Sequence, residues 1–184
     1  MIDLGINAGN SGNNWISYKP RDDMWTYSEG EMDLKVFVLD YESMKAGWGK
    51  ISMGKAPQWV WDEPLGVVGK NPGATPEEQD EWSRGMSVEL YVLDKEKGID
   101  DVLTWASTGI GANQGLNIIF QEIDKLRKDN PGLSPVLKYT GSEKTTYRTR
   151  IPQFEILKWI EKPLAFTKAA EVSTPETDED DVPF

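Results

Sequence analysis

The 184-residue sequence predicts a mainly β domain, a barrel of about five strands with one α-helix. Three observations predict it. Short β-branched and aromatic runs recur between Gly, Pro and Asp turn signals. Only one stretch repeats its apolar residues at helical spacing. That stretch falls after three or four strands and before the last two.

The elements follow in order. Residues 1–14 are rich in Gly and Asn, so they read as a mobile arm. Trp15 to Arg21 interleaves aromatics and cations, which suits either a nucleic-acid contact or a staple of the arm onto the core. Leu34 to Tyr41 is a strand, and Lys45 to Ile51, with Gly47 and Gly49, reads as a turn into the next one. Gln58 to Asp62, if extended, sets Trp59 and Trp61 on one face. Residues 62–80 hold Pro64, Pro72 and Pro76 and read as a loop. Trp82 to Gly85 leads into a strand from Met86 to Leu93, Asp94 to Gly98 turns, and Val102 to Ala106 is a further strand. Leu116, Ile119, Phe120, Ile123 and Leu126 then mark the helix, which Asn130-Pro131-Gly132 stops. Val136 to Thr140 and Ile151 to Ile160 form a hairpin whose long turn carries Lys144, Tyr147, Arg148 and Arg150. This order is the layout of an OB-fold, in which the last hairpin stands beside the binding face. From Thr167 onward, Thr, Pro, Glu and Asp dominate and predict disorder. The expected division is an arm over 1–29, an OB-type domain over 30–165 and an acidic tail over 166–184.

Composition narrows the chemistry. Cys and His are both absent, which removes disulfides, thiolate and imidazole metal sites, Ser-His-Asp triads and Cys-His pairs. No metal or cofactor is expected, and no enzymatic activity. The mean hydropathy of -0.54 and the lack of a long apolar run argue against a membrane span. Met1-Ile2-Asp3-Leu4-Gly5 has neither a basic start nor an apolar h-region, so a secretory signal is not expected. The expected compartment is the cytoplasm, that of the host for a viral protein. The net charge of -11 at first opposes nucleic-acid binding, but its distribution does not. Pro135 to Ala170 carries seven bases against three acids, whereas Glu171 to Phe184 carries six acids and no base.

The chain also holds 8 Trp and 6 Tyr, many beside cations or glycines. Half of the Trp residues are ordinary core by expectation. A surplus near Lys and Arg is also what a base-stacking platform requires, because every nucleobase offers a π-face. The candidate contacts are Trp48, Lys50, Trp59, Trp61, Trp82 and Arg84, then Lys138, Tyr139, Lys144, Tyr147, Arg148 and Arg150. Trp15, Tyr18 and Lys19 rank below them.

The final residues, Asp178-Glu179-Asp180-Asp181-Val182-Pro183-Phe184, set four carboxylates against a terminal Pro-Phe. A ring beside an α-carboxylate reads as a tethered peptide ligand that docks by one ring and by charge. This tip resembles that of bacterial and phage single-stranded DNA-binding proteins. The resemblance implies that residues 178–184 recruit replication, recombination and repair enzymes and compete with DNA for the protein's own binding face. It covers the tip alone; the body does not match the familiar bacterial protein residue by residue. The expected partners are single-stranded DNA and those enzymes, with self-association left open.

Other readings carry less. Gly109-Ile110-Gly111-Ala112-Asn113-Gln114-Gly115 has glycines at Gly-x-Gly-x-x-x-Gly, which misses the dinucleotide spacing, and it lacks a Walker lysine. Asp22-Asp23, Asp62-Glu63 and Asp100-Asp101 are carboxylate pairs of the kind a hydrolase uses, but each lies at a turn or loop where acids are ordinary. A carbohydrate-binding module, stacking sugars on a Trp row, is the alternative from another class.

Overall fold

In a computed structural model, residues 14–173 are described, with side chains as far as Lys168. Nine strands form one sheet: β1 (Trp15–Lys19), β2 (Met24–Tyr27), β3 (Gly30–Met32), β4 (Val36–Lys50), β5 (Gln58–Trp61), β6 (Ser83–Asp94), β7 (Ile99–Ser107), β8 (Leu133–Lys144) and β9 (Arg150–Glu161). The helices are α1 (Pro76–Asp80), α2 (Ile110–Leu126) and α3 (Leu164–Ser173), with a short 3-10 turn over Arg127–Asp129. The sheet order is β3-β2-β1-β7-β6-β4-β8-β9, with β5 paired to β4, and the sheet curls into a half-barrel. All pairs are antiparallel except β1 with β7. The fold is therefore mainly β, as the turn-punctuated runs predict. It has more strands than the five expected, because 15–32 adds three and β5 pairs with the end of β4.

Inward-facing residues build the core. Phe37 and Leu39 of β4, Val88 and Leu90 of β6, Leu103 and Trp105 of β7 and Leu137 of β8 are buried at alternate positions. Leu116, Ile119 and Ile123 of α2 close over them. Gly111 and Gly115, one turn apart, bring α2 onto β9: a Cβ at either would meet the carbonyl oxygen of Arg150 or Pro152. Of the three glycines that suggested a phosphate loop, Gly111 and Gly115 are thus packing residues of a helix–strand contact.

Three expectations change. Residues 15–29 are not an arm. Ile16, Tyr18 and Trp25 are buried, and Trp25 meets Trp105 edge-on at 4.9 Å, so burying these rings outweighs the mobility suggested by the flanking Gly and Asn. Lys45–Ile51 is not a turn. β4 runs unbroken through it, with a bulge between Asp40 and Lys45. Within that bulge Ser43 Oγ donates to the Asp40 carbonyl at 2.7 Å and accepts the Glu89 N–H at 2.8 Å, filling the gap in the ladder. The segment after residue 165 is helical as far as Ser173, anchored by Phe166, which is 2% exposed beside Tyr91, Val38 and Val136. The tip 178–184 and the first thirteen residues lie outside the described ones. Among the described residues, no helix is long and apolar enough to cross a membrane.

One contact closes the half-barrel without a ladder. Asp23, in the β1–β2 turn, accepts hydrogen bonds from Tyr18 Oη (2.8 Å), Tyr139 Oη (3.0 Å) and Ser142 Oγ (2.5 Å), and Arg150 stands 3.8 Å away. Burial opposes its ionisation, but these donors and the Arg150 charge outweigh it and hold the carboxyl below its usual range. Burial and the bond to Asp23 push the Tyr139 hydroxyl well above its ordinary value.

Candidate nucleic-acid interface

Two clusters of aromatics and cations flank the first turn of α2. One lies where the end of β4 is sandwiched between β5 and the start of β6. The other is the β8–β9 turn. Asn113 Nδ2 donates to the Arg84 carbonyl at 3.0 Å, and the same turn of the helix packs at Gly111 against Thr149 and Arg150. One helix turn therefore holds both clusters at one end of the molecule.

In the first cluster, register sorts the predicted residues onto opposite faces. Trp48 is paired with Val60 and with Arg84, while Gly49 is paired with Trp59 and Gly47 with Trp61. Paired residues share a face and neighbours alternate, so Trp48 and Arg84 project from one side of the ribbon and Trp59 and Trp61 from the other. The glycines make room. A Cβ on Gly49 would stand 2.6 Å from Cζ3 of Trp59, and one on Gly85 2.8 Å from the same atom. Trp59 and Trp61 stack on each other, with centroids 4.6 Å apart and planes 7° from parallel, and Lys45 Nζ lies 5.7 Å from the Trp61 ring.

On the other side the Arg84 guanidinium lies over the Trp48 ring at 5.4 Å. It is held by Asp62, a buried carboxylate, through Nη1 to Oδ1 at 2.9 Å and Nη2 to Oδ2 at 2.5 Å. Gly69 N–H donates to Asp62 Oδ1 at 3.1 Å, and Trp48 Nε1 donates to the Gly69 carbonyl at 2.9 Å. The Arg84 hydrogen bonds, helped by Gly69 and opposed by burial, hold the Asp62 carboxyl below its usual range. Lys50 pairs with Glu81, and Trp82 is half-buried at the entry to β6.

In the second cluster, Thr145 N–H bonds to the Thr149 carbonyl at 2.9 Å and closes a short turn. Tyr147 at its tip is 89% exposed, and Lys144 and Arg148 are exposed beside it with no ion pair among the described residues. Arg150, at the base, donates to Ser142 Oγ at 3.2 Å and pairs with Asp23.

The other candidates lie elsewhere. Tyr18 is 5% exposed, so its ring has no face free for a base, and Tyr139 is half-buried, edge-on to Trp25 and tilted against Phe154 while bonding Asp23. Tyr18 is corrected to a core residue, and Tyr139 lies at the edge of the same core, both placed inward by strand alternation. Lys138 is exposed in mid-β8, on the face opposite Tyr139. Trp15 opens β1 against β7, and exposed Lys19 enters the β1–β2 turn. Of the acid pairs, Asp23 and Asp62 are engaged as described, Asp100 accepts from Tyr91 Oη at 2.6 Å, and Asp101 accepts from Asn14. Sequence reasoning weighed Asp62 only as half of a carboxylate pair and missed its bonds to Arg84. The signal was an acid directly after Trp-Val-Trp, where a buried charge requires a cation.

No protein-family profile matches the chain, and no match emerges among curated proteins or solved structures.

Proposed function

We propose that this chain binds single-stranded DNA, largely without sequence preference, on an OB-type half-barrel, and that residues 178–184 recruit replication, recombination or repair proteins. β4 pairs with β6 on one side and β8 on the other, and α2 lies between β7 and β8. Taking β4, β6, β7, β8 and β9 as the five barrel strands, the fold would bind oligonucleotides on its second and third strands and through its first and last interstrand loops. The two aromatic–cation clusters belong to those two loops. The observation that carries the reading is their convergence on one helix turn: Trp48 with Arg84 on one side, Tyr147 with Lys144 and Arg148 on the other. Phosphate neutralisation by the unpaired cations and stacking on the exposed rings would supply the affinity.

The same geometry disfavours a sugar-binding row. Stacking on pyranose rings needs open, coplanar indole faces, whereas Trp59 and Trp61 turn theirs toward each other. Titration with oligo-dT should quench the Trp fluorescence, with the midpoint weakening as salt rises. Quenching by a cello- or xylo-oligosaccharide with no response to oligo-dT would overturn the proposal.

A further inference from the structure

We infer that Arg84 offers an unpaired base its flat guanidinium face rather than offering a phosphate its charge, and that Asp62 is the positioning residue that makes it do so. The inference rests on the single-stranded DNA reading and specifies how one part of that surface works.

The geometry is a closed circuit. Both terminal nitrogens of Arg84 bond to the two oxygens of Asp62, which fixes the plane of the guanidinium. The Asp62 side chain is 2% exposed while that of Arg84 is 34% exposed, so the anion lies inside and the cation's surface faces outward. Gly69 ties the circuit shut, donating to Asp62 and accepting from the Trp48 indole that lies beneath Arg84. Two of the five guanidinium donors are used on Asp62, in the plane; one face lies toward Trp48, and the other is the one proposed for a stacked ring. A phosphate approaching this site meets a cation whose charge is already balanced by a buried carboxylate, so little counterion is released there. Lys144 and Arg148, with no ion pair among the described residues, are the groups that release counterions.

Salt dependence separates the two roles. The full chain is titrated with a fluorescent oligo-dT over a range of salt, alongside R84Q, R148Q and D62N. R148Q should flatten the log–log salt slope by about 0.7, the contribution of one single-strand phosphate contact. R84Q should weaken binding about ten-fold at every salt with the slope unchanged, as expected for loss of a stacking surface. D62N keeps an acceptor for Arg84 but removes the balancing charge, so its slope should steepen by about 0.7. A purely structural Asp62 would leave the slope alone. The inference is overturned if R84Q flattens the slope as R148Q does, if R84Q binds like wild type, or if D62N leaves the slope unchanged. Near-UV circular dichroism identifies a misfolded R84Q, in which case the D62N slope decides by itself. Wild-type protein that ignores oligo-dT removes the DNA reading and this inference together. Wild-type binding with any of the three contrary slopes or affinities removes the inference alone.

Discussion

Tyr139 and Tyr147 look alike in the sequence, each an aromatic among cations, yet the fold uses them oppositely. Tyr139 faces inward with Leu137 and bonds Asp23, while Tyr147 stands at the tip of a turn. Tyr139→Phe should therefore cost about 1 kcal/mol of stability in chemical denaturation, from one lost hydrogen bond, and leave DNA affinity near wild type. Tyr147→Ala should leave stability within about 0.5 kcal/mol and weaken oligo-dT binding by about 1–3 kcal/mol. The reverse pattern would exchange their roles. Asp23 and Asp62 make the fold acid-sensitive. Each carboxyl is held below its ordinary range in the folded chain, so ionisation stabilises the fold above that range. That stabilisation is lost as pH falls through the lower folded value. Thermal melts between about pH 6 and pH 2.5 should show a falling Tm, and Asp23→Asn should be less stable near neutrality but fall less steeply. An equally steep fall in the variant would relieve Asp23 of that role.

At the level of elements, the strands after Leu34 and the body of α2 were legible because burial imposed their periods directly. Apolar residues fall at period two in β6 and β7 and at helical spacing in α2. Glycine was the ambiguous letter. Gly47 and Gly49 suggested a turn, but here glycine answers to a neighbour: the Val60 carbonyl crowds one position and the Trp59 ring the other. A single sequence does not distinguish a glycine that bends the chain from one that admits a ring. The same ambiguity hid the packing role of Gly111. Gly111→Ala should raise intrinsic helix propensity by about 1 kcal/mol and still destabilise the protein by about 1–3 kcal/mol, because the new methyl meets the Arg150 carbonyl. Equilibrium unfolding checks the sign; a more stable variant would mean that α2 can lift from β9 at little cost. α3 was hidden for a related reason. One buried Phe166 anchors a helix that merges into a Thr-, Pro- and acid-rich composition.

For the whole molecule, the contrast in charge along the chain matters more than the net -11. The bases after Pro135 lie largely on the β8–β9 hairpin, whereas the acids after Glu171 follow α3. Removing residues 171–184 spares Phe166 and its packing, so the shortened chain should fold and bind oligo-dT as tightly as the full chain or more tightly. Clearly weaker binding by the folded, shortened chain would argue that the tail assists DNA binding rather than competing with it. The site was legible as a set of residue types and only partly as a place, since face and register, not composition, decide which rings meet which cations. The Asp23 junction has a further consequence. Its carboxylate spans the β1–β2 turn and β8, which share no ladder, beside the ring contacts of Trp25 with Tyr139 and Phe154. Asp23→Asn should therefore raise amide exchange around the β1–β2 turn well before it does so at the centre of β6 and β7.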